Sequence, residues 1–252
     1  VAPDLNDPKI APGWNAMSEI KLFLLGFGNV GQALARLLVR KRQALRRSYG
    51  ITWRVVGIVT GRHGTALDPD GIDLENALAL VEDDRLYELN EISAPPDIRG
   101  LIRTSGADVL FENTPVNYET GQPAVGHIRT ALEEGMHAIT ANKGPVVHAY
   151  RQLTDLAADS ERQFLFESAV LDGAPIFSLW RHALPGADLR SFRGVLNSTT
   201  NMMLSLMEEG SSYEQALAHA QKIGIAETDP SGDTEGWDAA VKVAALVTVL
   251  MG

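Results

Sequence analysis

The chain has 252 residues, 45% of them apolar and 21% charged, and a formal charge of −10. That is enough apolar material for one large domain or two smaller ones with a real core, and the acidic balance argues against a nucleic-acid or anionic-membrane binder. With no cysteine there is no disulfide framework, thiolate zinc site or cysteine nucleophile, and a reducing, cytoplasmic setting fits.

Residues 1–17 read as a tail, natural or appended, with three prolines in the first sixteen and neither the charged start nor the apolar stretch of a signal peptide. Short apolar runs at 21–25, 53–59, 109–111, 137–140 and 164–166 predict buried strands. Segments with helical periodicity lie between them at 30–47, 74–81, 118–134 and 147–160. Strands alternating with helices imply parallel βαβ units in a sheet covered on both faces, so a doubly wound domain is expected over residues 18–168.

A smaller α+β unit is expected over 169–252. It has a β-like run at 191–197 and helices at 199–209, 213–223 and 235–251, with Ser212 and Gln215 at capping-box spacing. The apolar stretch 243–251 falls short of the roughly 20 residues that a bilayer crossing needs, so no membrane partner is expected.

Gly26-Phe27-Gly28-Asn29-Val30-Gly31 follows an apolar strand and opens an amphipathic helix, the context in which G-x-G-x-x-G reads as a dinucleotide turn of the Rossmann type. The first glycine permits the turn, the second lets backbone approach a pyrophosphate, and the third brings helix against strand; the helix N-terminus then faces the phosphates. The next strand ends Gly57-Ile58-Val59-Thr60-Gly61-Arg62-His63, with no acid for a ribose hydroxyl. Residues 20–67 as a whole hold nine Lys or Arg and no Asp or Glu. Arg62 suits a 2′-phosphate, and Thr60 or His63 can add hydrogen bonds. NADP is therefore expected ahead of NAD, which stays possible. Arg36, Arg40 and Arg47, at helical spacings, read as a solvated face.

Six further runs follow: Phe111-Glu112-Asn113-Thr114-Pro115, Thr140-Ala141-Asn142-Lys143-Gly144-Pro145, Glu167-Ser168-Ala169-Val170, Leu196-Asn197-Ser198-Thr199-Thr200-Asn201, Gly224-Ile225-Ala226-Glu227-Thr228-Asp229-Pro230 and Gly236-Trp237-Asp238-Ala239-Ala240-Val241-Lys242. In order and spacing, from the glycine turn to the last residue, the chain resembles homoserine dehydrogenase. The resemblance implies reversible, nicotinamide-dependent reduction of L-aspartate 4-semialdehyde to L-homoserine, a small-molecule substrate and a homodimer formed through residues after 175.

Asp238 and Lys242 are four apart on an expected helix, hence on one face. The rest of that helix is apolar enough to bury them, and buried charges need partners. By resemblance Lys242 is the acid/base. By the same resemblance Asp238 and Glu227 hold the substrate's ammonium. Lys143, just past a strand's C-terminal end, matches a lysine that reaches cofactor and substrate in the family and is a second catalytic candidate. Thr114 and Gly224 match nucleotide-contacting positions. Glu167, Val170, Asp172 and Ala174 match positions whose main-chain oxygens hold a monovalent cation, usually sodium.

Two departures stand out: Ser198 where the family commonly has glycine, and an end at Gly252 where relatives continue for several tens of residues, which reads as a truncated version or a shortened relative. Two alternatives follow: a shortened dehydrogenase that binds dinucleotide without turnover, or an oxidoreductase for another amino-bearing hydroxy acid.

Overall fold

A computed structural model of the protein describes residues 19–90, 97–226 and 229–252. The tail expected at 1–17 lies outside the described residues, and so does Glu227. In chain order the main elements are β1 (Ile20–Leu25), α1 (Asn29–Tyr49), β2 (Trp53–Val59), β3 (Thr65–Ile72), α2 (Leu74–Glu82), α3 (Ile98–Thr104), β4 (Val109–Glu112), α4 (Ala124–Glu133), β5 (His137–Thr140), α5 (Lys143–Asp159) and β6 (Phe164–Leu165). There follow α6 (Ile176–Ala183), α7 (Ser198–Glu208), α8 (Tyr213–Lys222), α9 (Ser231–Thr234) and α10 (Trp237–Leu250). Among the described residues no helix is long and apolar enough to cross a membrane.

The six strands form one sheet in the order β3-β2-β1-β4-β5-β6, the doubly wound arrangement whose ligands sit outside the carboxyl ends of the strands, at the β1/β4 reversal. All neighbours pair in parallel except β2 and β3, which form an antiparallel hairpin. Alternate residues of β1 serve opposite faces. Leu22 and Leu24 join a cluster with Ala77 and Val81 of α2, packed by Leu34 and Leu38 of α1. Phe23 and Leu25 join Leu101 and Ile102 of α3 and Ala131 of α4. Burial on both faces is why these strands read as continuous apolar runs rather than alternating ones.

The described residues divide into two compact units. The first takes in residues up to 115, 123–142 and 151–166; the second takes in 116–122, 143–150 and 167–252. In the second, α7 and α8 form a helical hairpin with a small core of Met203, Ala216, Ala220 and Ala226, and α8 starts in the Ser212–Gln215 capping box.

Several expectations need correction. The helix expected from 118 begins only at Ala124, because the Asn117 side chain accepts from the Glu119 and Thr120 N–H groups in an Asx turn, and Gly121 sits at φ 67°. The helix expected over 147–160 starts earlier, at Lys143, and breaks at Ala149 (φ −144°). Hairpin strand β3 and helices α3 and α6 are additional. The run 191–197 is not a strand: it has no pairing partner among the described residues, 191–195 are exposed, and Asn197 instead caps α7 by accepting from Thr200 N–H. Alternating residues propose a strand, but only a neighbouring strand supplies its hydrogen bonds.

Candidate active site

In the first unit the expected dinucleotide turn joins β1 to α1. Gly26 takes φ 89°, and a side chain there would land on the Asn113 carbonyl just beyond β4. At Gly31 a Cβ would strike the Gly26 carbonyl, whereas at Gly28 it would meet no atom within 4 Å. Gly28 is also the N-cap of α1, without a side-chain cap and with no acid in the first turn. The unpartnered N–H groups of that turn and the open space over Gly28 fit an anionic pyrophosphate. Phe27 is buried in the core, while Asn29 and Val30 are exposed, so Phe27 can offer a ligand only its main chain.

Beside this turn, the fully buried Glu112 carboxylate accepts from Thr114 N–H at 2.9 Å, from the Thr114 hydroxyl, and from the Thr140 hydroxyl at 2.7 Å. Burial raises its pKa against the pull of those bonds. Thr140 also accepts from Asn142 N–H, and the Asn142 amide donates to the Thr114 carbonyl at 3.0 Å. Thr114 therefore sits in a braced corner at the ends of β4 and β5, its side chain engaged with the protein. The buried Glu-Thr-Thr-Asn network is missing from the sequence reading, although each member lies in a quoted run.

At the tip of β2, Thr60 uses its hydroxyl to close the loop, donating to the Gly64 carbonyl at 2.9 Å and accepting from His63 N–H at 2.6 Å. Arg62 is exposed. The expectation that no acid reaches this loop is wrong: the His63 imidazole pairs with Asp84, from the turn after α2. Sequence position gives no sign of it, because the β2–β3 hairpin and α2 intervene.

The second unit gathers the chemistry around Asp238, in the first turn of α10. One carboxylate oxygen accepts from Lys242 Nζ at 2.7 Å and from the Asn197 amide at 3.1 Å; the other lies 3.2 Å from Lys143 Nζ. Lys242 also donates to the Leu196 carbonyl at 2.7 Å, and Asn197 donates to Asp233 at 2.6 Å. The side chains of Asp238, Lys242 and Lys143 are 14%, 18% and 20% exposed, and the two lysines balance Asp238 and Asp233. Burial works to raise the Asp238 pKa, but the bonds from Lys242 and Asn197 and the charges of both lysines outweigh it and hold the carboxyl below its ordinary value.

Trp237, next to Asp238, stacks on Tyr118 (centroids 6.4 Å apart), whose carbonyl takes the His148 ring nitrogen at 2.9 Å. Asn197 and Asp233 were not singled out from sequence; the signal for Asn197 was its place directly before a helix, and Asp233 had none. Gly224 ends α8 at φ 76°, in the turn where the Ile225 carbonyl accepts from the Thr199 hydroxyl.

Of the expected cation donors, Glu167 uses its carboxylate to cap α6, accepting from Phe177 and Ser178 N–H at 2.9 and 3.0 Å, and the Ala174 carbonyl accepts from Ile176 N–H at 2.8 Å. Val170 is buried and Asp172 exposed. Among the described residues no group of three or more His, Cys, Asp or Glu side chains is placed to hold a metal.

Comparison with known proteins matches residues 26–167 to the family model described as the homoserine dehydrogenase NAD-binding domain, and residues 175–252 to the homoserine dehydrogenase model. The homoserine dehydrogenase of Methanocaldococcus jannaschii is 38% identical, over 92% of this chain and 69% of the relative. The NAD(+)-dependent homoserine dehydrogenase of Pseudomonas canavaninivorans is 35% identical, over 93% of this chain and 67% of the relative. A solved hyperthermophilic archaeal homoserine dehydrogenase in complex with NADPH superposes with a TM-score of 0.80 at 30% identity, over 92% of this chain and 70% of that one. Matched by these models over both its nucleotide turn and its Asp238 cluster, the chain belongs to the homoserine dehydrogenase family.

Proposed function

We propose that this protein catalyses the reversible, nicotinamide-dependent reduction of L-aspartate 4-semialdehyde to L-homoserine. The observation that carries it is the Asp238 carboxylate held between two lysine ammonium groups in the first turn of α10. Reducing an aldehyde leaves an alkoxide that must be protonated, and an ammonium group positioned by a carboxylate is a suitable donor. The reduced nicotinamide supplies the hydride.

Lys242 is the assigned acid/base, protonating the alkoxide in reduction and taking the hydroxyl proton in oxidation. Asp238 orients it, and Lys143 is the second candidate, with a further role toward the cofactor. Asp238, Glu227 and, from its place in the network, Asp233 hold the substrate's ammonium, for which carboxylates are the natural partners. Gly26 to Gly31 cradle the pyrophosphate, with Thr114 and Gly224 lining the nucleotide. Arg62, an exposed cation past β2, favours the 2′-phosphate of NADP over NAD. The monovalent cation rests on resemblance alone, through the main-chain oxygens of Glu167, Val170, Asp172 and Ala174, of which that of Ala174 already accepts from Ile176 N–H, and no step runs through it. Exposed apolar side chains after residue 175, among them Leu179, Val195, Leu204 and Val247, support a homodimer, and the absence of cysteine agrees with a cytoplasmic enzyme.

The test is homoserine-dependent reduction of NADP, followed by absorbance of the reduced nicotinamide. Dinucleotide binding without any turnover on homoserine overturns the assignment, and turnover on a different amino-bearing hydroxy acid alone transfers the chemistry to that substrate.

A further inference from the structure

The loop at the end of β2 holds one exposed cation, Arg62, and one acid, Asp84, which the sequence places far from it. Asp84 follows α2 in a tight turn, with Asp83 N–H on the Leu80 carbonyl at 3.2 Å and Arg85 N–H on the same carbonyl at 3.0 Å. Asp84 adopts φ 58°, a left-handed conformation that Asp, Asn and Gly tolerate best. Its carboxylate pairs with the His63 ring and remains 71% exposed.

Arg85 is committed to Glu88 through a bidentate pair at 2.8 and 2.9 Å, and Thr60 is consumed by the loop itself. In dinucleotide-binding domains of this topology, an acid near the end of the second strand accepts from the ribose hydroxyls and an arginine there accommodates the 2′-phosphate. This loop presents both.

Resting on the reading of Gly26–Gly31 as the dinucleotide turn and of Arg62 as its 2′-phosphate partner, we propose that Asp84 is a selectivity-determining residue of the cofactor site. Anchored by His63, its carboxylate opposes Arg62: it repels a 2′-phosphate and offers an acceptor to an unphosphorylated ribose. The consequence is a site that accepts both dinucleotides, with a narrower preference for the phosphorylated one than Arg62 alone would set.

The experiment titrates NADPH and NADH by fluorescence against the unaltered protein, Asp84→Asn, Asp84→Gly and Arg62→Ala, at low and raised salt. Asn keeps the backbone conformation and a hydrogen bond to His63 while removing the charge; Gly keeps the conformation and removes both. NADPH should bind about three- to tenfold more tightly to both Asp84 variants, as expected for removing a like charge several ångströms away across a solvated gap. NADH binding should stay the same or weaken, and the gain should shrink as salt rises. Equal changes for both dinucleotides, or an unchanged ratio in both variants, overturn the proposal. Arg62→Ala reads the underlying assignment separately: if it leaves the ratio alone while the Asp84 variants move it, Arg62 is not the phosphate partner and Asp84 still sets selectivity. If neither dinucleotide binds the unaltered protein, the dinucleotide reading and this proposal fall together.

Discussion

Asp238 takes hydrogen bonds or charge from Lys242, Asn197 and Lys143 at once, so the three lysine and aspartate side chains act as a unit and their substitutions should be non-additive. Lys242→Ala is expected to lower turnover by about 10²–10⁴, the usual worth of a positioned acid/base, while leaving NADPH affinity unchanged, measured by steady-state kinetics beside fluorescence titration. Lys143→Ala is the control for the rival assignment. If its turnover loss is deeper than that of Lys242→Ala and the pH dependence shifts with it, the proton donor is Lys143. Near-normal activity in Lys242→Ala removes the mechanism as stated. What sequence offered here was the i, i+4 pair on one helix face; that the second lysine, from a distant segment, shares the same carboxylate was not legible, because no local pattern records which remote charges meet.

At the scale of elements, the start of α1 makes two separable demands. Gly31 has the Gly26 carbonyl where a side chain would go, whereas Gly28 faces open space. Gly31→Ala should therefore destabilise the fold, by about 1–3 kcal/mol for a forced overpacking, and lose dinucleotide binding with it. Gly28→Ala should unfold in urea like the unaltered protein yet bind NADPH more weakly, since its methyl enters only the space assigned to the pyrophosphate. Equal stability losses in the two variants contradict this division.

Helix α4 carries a pH sensitivity of its own. His127, 4% exposed with Nδ1 unpartnered, has its pKa pushed down to about 4 by burial and by the charge of Arg99. The unfolded chain takes up this proton near 6.5 and the folded chain does not. The stability contribution of neutral His127 is thus fully present above about pH 6.5 and is lost as pH falls toward 4. Urea midpoints of the unaltered protein should decline over that window, and His127→Gln should flatten the decline. Glu112, whose pKa is raised, works in the opposite direction but is common to both proteins, so the comparison isolates His127. Parallel midpoint curves exclude the assignment.

For the whole molecule, large apolar side chains stay exposed in the second unit, with Val195 at 64%, Leu204 at 60% and Leu179 at 57%. Several large apolar side chains left in water on one small unit are candidates for an association face. A homodimer burying more than about 1,000 Å² through residues after 175 is expected in sedimentation at micromolar concentration, and Leu204→Arg or Val247→Arg should shift it toward monomer. A monomer at those concentrations, or a dimer indifferent to both changes, counts against it.

The doubly wound sheet, the glycine turn and helix α10 were determined by the sequence alone, because burial on both faces of a sheet and one-sided burial of a helix write their periods directly into the order of residues. The family runs added Lys143, Asp238 and Lys242. The tertiary structure alone decided the rest. It placed Asn197 and Asp233 in the Asp238 network, carried Asp84 to the His63 loop, built β3 from a run containing Asp68, Pro69, Asp70 and Gly71, and left 191–197 without a strand. The physical reason is common to all four. Periodicity reports how each residue meets solvent, whereas a hydrogen bond or an ion pair needs a particular partner, and partners distant in the chain are brought together only by the fold.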